Sequence, residues 1–92
     1  MSRDAEVQRI MLHLSVILST AYELDKGTTP TPKGPMYLGF MHQGHNIDYF
    51  NKLMEIGDMM NYWKSTSETI CLTELGIEKA KKLKEIETAH NS

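Results

Sequence analysis

The chain has 92 residues, of which 40% are hydrophobic and 24% charged, and its formal net charge at pH 7 is −2. These values are typical of one small globular domain, and they exclude a multi-domain enzyme and a wholly disordered chain. The single cysteine, Cys71, excludes an internal disulfide framework and fits a reducing, cytoplasmic setting. Polar residues interrupt the longest apolar stretch, so we expect no membrane-spanning segment.

The first predicted element is a long amphipathic helix over residues 5–25. A domain this small gains core by pairing with a copy of itself, so we expect a homodimer through this helix, with the last helix as a further contributor. Gly27 stands where a C-terminal glycine would end the helix. The apolar residues that recur at helical spacing are Val7, Ile10, Met11, Leu14, Ile17, Leu18, Ala21 and Leu24.

Residues 26–35 contain three prolines and two glycines, and they predict a loop without regular structure. A short apolar helix is expected to start at Pro35, where the missing N–H costs nothing. Asn46 is a good N-cap for a third helix, which we expect to end at Gly57. Residues 35–57 therefore predict two helices joined by a tight turn.

Residues 58–73 predict a β-hairpin with a polar turn at residues 65–68. Its second strand places Ile70 and Leu72 on one face. Thr73 is expected to cap a last helix over residues 74–88. The predicted fold class is therefore mainly α with a small β-hairpin, in a single domain over residues 1–92.

The order helix, helix, turn, helix, hairpin, helix resembles a winged helix-turn-helix domain of small bacterial, archaeal or phage-type transcriptional regulators. Two segments carry the resemblance. One is the third helix, Asn46-Ile47-Asp48-Tyr49-Phe50-Asn51-Lys52-Leu53-Met54-Glu55-Ile56-Gly57, and the other is Ile70-Cys71-Leu72-Thr73-Glu74-Leu75-Gly76, with its Leu-Thr-x-x-Gly pattern.

The resemblance implies a DNA-binding regulator that places its third helix in the major groove. On the solvent face of that helix, Asn51 would read adenine, and Lys52 would read guanine or contact phosphate. Tyr49 would pack on sugar or phosphate, and Lys64 in the hairpin would contact the backbone. Asp48 is a further candidate DNA-contacting residue on this face, although Asp48 and Glu55 would repel the DNA backbone. A dimer of this kind would suit a palindromic site in double-stranded DNA.

A second hypothesis is a protein-interaction adaptor built on a winged helix that has lost DNA binding. The net charge of residues 34–73 favours it, because two lysines stand against four acidic residues there, a sum of −2. Since Tyr62 and Trp63 are adjacent in a predicted strand, we expect one of them to face solvent or a partner. The proposed patch consists of Met59, Met60, Tyr62 and Trp63.

The sequence gives no support for an enzyme, a metal site or a cofactor. It contains no Ser/His/Asp arrangement, phosphate-binding loop or dinucleotide fingerprint. His42 and His45 straddle a predicted helix end without a carboxylate or thiolate at fixed spacing, so we interpret them as surface or turn residues. Cys71 is interpreted as a small half-buried side chain rather than a redox sensor.

Overall fold

The computed structural model describes residues 2–23 and 29–91 of the chain. Within these residues the fold is mainly helical with one small antiparallel sheet. None of the described helices combines the length and the apolar character needed to cross a membrane. The elements in chain order are α1 (Ser2–Glu23), β1 (Thr31–Pro32), α2 (Lys33–His42), α3 (Ile47–Met59), β2 (Trp63–Ser65), β3 (Thr69–Leu72) and α4 (Glu74–Asn91).

The sheet has three antiparallel strands in the order β1-β3-β2. β2 and β3 form the predicted hairpin, with Trp63 opposite Leu72. β1 adds to the other edge, with Thr31 opposite Ile70. The alternation predicted for β3 is confirmed, because Ile70 and Leu72 are buried while Cys71 is half-buried.

The prediction of an irregular loop over residues 26–35 is wrong at its C-terminal end. Residues 24–28, which include the expected helix-ending Gly27, lie outside the described residues. β1 follows, and α2 begins at Lys33 rather than at Pro35. Proline is compatible with both elements, because Pro32 lies on an edge strand and serves as the N-cap of α2, while Pro35 falls in the first helical turn.

The core lies between α1, the α2–α3 pair, the sheet and α4. Its largest fully buried side chains come from α1, α3, β2 and β3, and Trp63 also donates a hydrogen bond from Nε1 to the Met54 carbonyl at 3.1 Å. This bond satisfies the one polar atom of a buried indole. The fully buried large side chains are Leu14, Ile17, Phe50, Leu53, Trp63 and Ile70.

Gly57 does not end α3, as predicted, but lies inside the helix beneath the indole of Trp63. A Cβ atom built on Gly57 would stand 1.9 Å from Cζ2 of Trp63, so the glycine permits close approach of the ring. The chain leaves α3 instead through Asn61, which has a positive φ of 63°. Met59 and Met60 consequently belong to the helix end and the following turn rather than to a strand.

Thr73 caps α4 as predicted. Its hydroxyl accepts a hydrogen bond from the Gly76 amide at 3.1 Å and also donates to the Asn61 carbonyl at 2.5 Å. A Cβ on Gly76 would stand 1.9 Å from the Tyr62 carbonyl oxygen, so the first turn of α4 packs directly on the chain entering β2. The Leu-Thr-x-x-Gly segment thus joins the hairpin to the last helix.

Only part of the apolar stripe predicted for α1 is buried in the core. Leu14, Ile17 and Leu18 are buried, whereas Val7 is 54% exposed and Met11 44% exposed. The residues from Arg3 to Arg9 are all exposed. Leu14, Ile17, Leu18 and Ala21 of the stripe therefore belong to the domain's own core, while Leu24 lies outside the described residues.

Candidate nucleic-acid interface

The exposed face of α3 consists of residues at helical spacing, and it contains most of the predicted DNA-contacting residues. Asn46 caps the helix by accepting a hydrogen bond from the Tyr49 amide at 2.9 Å. The opposite face of α3 is buried in the core, and this burial fixes which residues of the helix face outwards. The exposed residues of this face are Asp48, Asn51, Lys52, Glu55 and Met59.

Tyr49 does not belong to that face, contrary to the prediction. It is half-buried, and its hydroxyl lies 2.5 Å from Nδ1 of His13 in α1. Its ring also stacks on His45 at a centroid distance of 4.9 Å and an interplanar angle of 27°. The tyrosine sits one residue past the exposed Asp48, and helical geometry turns it towards α1.

The three rings of His13, His45 and Tyr49 form one contact cluster, which we call the His–Tyr cluster. The centroids of His13 and His45 are 4.8 Å apart, and the edge of His13 also meets Phe40. The cluster joins α1, the turn between α2 and α3, and the first turn of α3. It therefore fixes where α3 begins relative to the long first helix.

Burial and neighbouring charges shift the ionisation of two members of this cluster. Burial, with His45 and Arg9 adding to it, holds the pKa of His13 below its ordinary value of 6.5. Burial raises the pKa of Tyr49, with Arg9 opposing and Glu6 adding to that rise. His13 is therefore neutral at pH 7, and a neutral imidazole is able to accept a hydrogen bond from the Tyr49 hydroxyl.

The hairpin lies beside the C-terminal end of α3 and is short. A side chain of α3 fastens it, because the Asp58 carboxylate accepts a hydrogen bond from the Ser65 amide at 2.9 Å and another from the Ser65 hydroxyl. The turn is closed internally by Thr66, whose amide donates to the Thr69 carbonyl at 2.8 Å. Lys64 is exposed on β2, as the DNA hypothesis requires.

The charges of α3 and the hairpin are mixed. Lys52 and Lys64 are exposed and free to approach phosphate, whereas Asp48, Glu55 and Glu68 are exposed acids on the same elements. Asp58 is a fourth acid, but its carboxylate oxygens already accept hydrogen bonds from Ser65. Lys33, at the start of α2, donates from Nζ to the Thr66 carbonyl at the hairpin turn. The structure thus brings few cations to this surface.

The patch predicted for the adaptor hypothesis is only half exposed. Tyr62 and Trp63 are both buried, with 6% and 1% of their surfaces exposed, so the prediction that one of them faces solvent is wrong. The strand begins only at Trp63, and Tyr62 precedes it in an irregular turn, so strand alternation does not apply to the pair. Met59 and Met60 remain exposed, at 84% and 41%.

No group of three or more histidine, cysteine, aspartate or glutamate side chains in residues 2–23 and 29–91 is placed to hold a metal ion. His13 and His45 are in ring contact, but the neighbours of that pair are aromatic rings rather than carboxylates. Two open clefts are present. One lies between α1 and α2, and the other between the start of α2, α3 and the hairpin turn.

Sequence reasoning missed the His–Tyr cluster and the role of Asp58. The spacing of the histidines predicts only surface or turn residues, whereas His13 contacts a tyrosine 36 residues away along the chain. No local spacing reports a contact of that kind. Asp58 and Ser65 are only seven residues apart. Their hydrogen bond could have been predicted from the sequence, because Asp58 is an acidic residue near the end of a predicted helix and a polar hairpin follows it.

Comparison with protein family models, with curated proteins and with solved structures found no match to this chain.

Proposed function

We propose that this protein is a winged helix-turn-helix domain that binds double-stranded DNA and regulates transcription. The observation that carries the proposal is the order of the elements, three helices with a short edge strand after the first, then a hairpin and a fourth helix, with the sheet order β1-β3-β2. In such a domain α3 is the recognition helix and the β2–β3 hairpin is the wing.

Asn51 and Lys52 are the residues of α3 to which we assign base contacts. Asn51 is suited to a bidentate contact with adenine, and Lys52 to guanine or to a phosphate. We assign contact with a second phosphate to Lys64, which is exposed on β2. Tyr49, whose hydroxyl faces His13, orients the helix from the protein side and is not assigned a contact with DNA.

The acidic residues of α3 are more compatible with recognition of a specific DNA sequence than with tight binding to DNA of any sequence. Asp48 and Glu55 are exposed on the same face as Lys52, and a carboxylate is able to accept a hydrogen bond from cytosine N4. The same charges oppose phosphate. Affinity for random DNA is therefore expected to be weak, and affinity for a specific site to depend on base contacts.

The protein is proposed to act as a homodimer through α1 in the cytoplasm, on a palindromic site. The single cysteine and the exposed apolar residues of α1 support this setting and this assembly. No enzymatic activity is proposed.

A charge reversal at Lys52 tests the proposal. Lys52→Glu is expected to lower affinity for duplex DNA at least tenfold, because it removes one phosphate or guanine contact and adds a repulsive charge. Lys79→Glu makes the same change on an exposed position of α4 and is the matched control. Equal DNA affinity of Lys52→Glu and the parent protein, measured by fluorescence anisotropy, would refute the assignment of α3.

A protein-binding adaptor is the second candidate, and the exposure of Met59 favours it. This methionine is 84% exposed at the end of the same face that carries Lys52 and Glu55, so the face is part apolar and part charged. Flexible methionine side chains are suited to adaptable protein contacts. If Met59→Ala loses a co-purifying protein partner while the chain shows no DNA affinity at low salt, the adaptor function replaces the regulator.

A further inference from the structure

The outward face of α1 is unusual for a solvent-exposed helix in a domain of this size. Residues 10–22 contain no aspartate, glutamate, lysine or arginine, although the helix is exposed along one side. Two large apolar side chains project from that side, Leu12 at 62% exposed and Val16 at 47% exposed. An uncharged face with large apolar side chains is expected where a helix is covered by a partner, whereas solvent-exposed helix faces normally carry charged residues.

The hydroxyl groups near this face are already satisfied. Thr20 donates from Oγ1 to the Val16 carbonyl at 2.8 Å, and Ser15 donates from Oγ to the Met11 carbonyl at 2.9 Å. These bonds remain inside α1 when the face is covered. Burial of the face would therefore leave no hydroxyl donor of these two residues without a partner.

Charged residues stand only at the two ends of the same face. Arg9, Leu12, Val16, Thr20 and Glu23 follow each other at spacings of three and four residues, so they lie within a sector of about 80° on the helix surface. The positive end and the negative end are equally far from Val16. A second helix of the same sequence, running antiparallel and crossing at Val16, would place each Arg9 opposite a Glu23.

The same register brings Leu12 of one copy level with Thr20 of the other along the helix axis, and Val16 meets its counterpart at the centre. Because a two-fold axis preserves the side of the helix on which a residue stands, Leu12 and the partner's Thr20 lie on opposite sides of the central valine pair.

We propose that the outward face of α1 binds a second copy of this chain as an antiparallel helix pair centred on Val16, with Leu12 of each copy packed beside the central valine pair. The contact is isologous, because both copies use the same face. It deepens the homodimer of the proposed function by naming its face and register, and it does not depend on DNA binding.

This dimer uses a different face from the apolar stripe that the sequence suggested. Leu14, Ile17 and Leu18 of that stripe pack in the domain's own core, whereas Leu12 and Val16 point away from it. The partner's Arg9 would join Glu23 and Lys84, whose own ion pair within the domain measures 3.5 Å. A network of this kind selects the antiparallel register more than it adds affinity.

Sedimentation equilibrium from about 10 μM to about 1 mM protein tests the proposal, since a two-helix contact of this size is expected to give a micromolar Kd. Leu12→Asp is expected to weaken dimerisation at least tenfold. Val7→Asp introduces the same charge at a residue of similar exposure, 54%, on the other side of α1, and it is expected to leave the dimer unchanged. Circular dichroism checks that each variant folds.

A charge exchange tests the register. Arg9→Glu and Glu23→Arg are each expected to weaken the dimer, and the double variant is expected to restore it to within about threefold of the parent.

Three results would overturn the proposal: a monomeric parent protein at the highest concentration, loss of the dimer in Val7→Asp but not in Leu12→Asp, or no rescue by the double charge exchange. A dimer with these properties that has no affinity for DNA would refute the proposed function and leave the dimer intact. A monomer that binds DNA would do the reverse.

Discussion

At the scale of single residues, the His–Tyr cluster connects the start of the proposed recognition helix to α1. The Tyr49 hydroxyl meets Nδ1 of His13, and His45 stacks on the tyrosine ring. Each of the three rings belongs to a different part of the chain. The orientation of α3 therefore depends on a polar contact with α1 in addition to its apolar face.

The depressed pKa of His13 makes stability depend on pH. Below an unfolded-state pKa of 6.5 the unfolded chain binds more protons at this site than the folded chain, so the free energy of unfolding falls as pH falls. The loss begins as pH drops through about 6.5 and is complete once the folded-state pKa has been passed. Urea denaturation at pH 7.5 and pH 5.5 measures the effect.

His13→Gln is the variant for that experiment, since it removes the titrating group and keeps a polar side chain beside Tyr49. We expect its stability to change less between the two pH values than the parent's. All other residues are the same in both proteins, so the difference between the two pH dependences reports on His13. A variant with the same pH dependence as the parent would show that His13 is not the responsible group.

Two glycines in helices predict opposite effects of the same substitution. Gly57→Ala would place its Cβ 1.9 Å from Trp63 Cζ2, and this overpacking is expected to cost roughly 1–3 kcal/mol of stability. Gly39→Ala meets no atom within 4 Å and is expected to gain roughly 0.5–1 kcal/mol from higher helix propensity. Thermal unfolding of both variants measures the difference, and a stabilised Gly57→Ala would contradict the observed packing.

At the scale of elements, the β2–β3 hairpin is compact and fastened to α3. Its strands, β2 and β3, have three and four residues, and Asp58 of α3 holds the amide and hydroxyl of Ser65. Lys33 in α2 also reaches the turn carbonyl of Thr66. A hairpin held from both sides presents Lys64 in a fixed position, as the phosphate contact that we propose for this lysine requires.

Asp58→Ala tests that attachment. We expect the loss of about 1 kcal/mol of stability, because two hydrogen bonds to Ser65 are removed, and faster hydrogen exchange at the Ser65 amide. Glu55→Ala removes an exposed acid from the same helix and serves as the control. If the Ser65 amide exchanges at the same rate in both variants as in the parent, then Asp58 does not fasten the hairpin to α3.

The sequence predicted the helices and the hairpin because their signals are local. Helical periodicity in α1, the Asn46 cap and the Thr73 cap each lie within a few residues of the element they define, and the structure confirms them. β1 was missed because its two residues form a strand only by pairing with Thr69 and Ile70, far along the chain.

The errors at the candidate site also arose from contacts between distant residues. Gly57 was interpreted as a helix end, although the indole of Trp63 that requires the glycine lies in another element. Tyr49 was assigned to DNA because its helix position is close to the exposed face, while its partner His13 is in α1. Tyr62 precedes β2, which begins at Trp63, so strand alternation does not apply to it and both side chains are buried.

At the scale of the whole molecule, the charge distribution bears on the choice between a DNA-binding regulator and a protein-binding adaptor. The exposed cations of the proposed DNA surface are Lys52 and Lys64, and four exposed acids lie on α3 and the hairpin, namely Asp48, Glu55, Asp58 and Glu68. Each phosphate neutralised is expected to contribute about −0.9 to the slope of log K against log salt concentration. Two contacts per protomer therefore predict a slope of about −2 for each copy bound, which is shallow for a DNA-binding protein.

Binding to duplex DNA of random sequence, titrated from about 20 to about 200 mM salt, is the first test of the proposed function of α3 and the hairpin. We expect weak binding at the lowest salt, a slope of about −2 per protomer, and a slope smaller by about 1 in Lys64→Ala. Absence of binding at the lowest salt would contradict the proposed DNA-binding function and would favour the protein-binding adaptor.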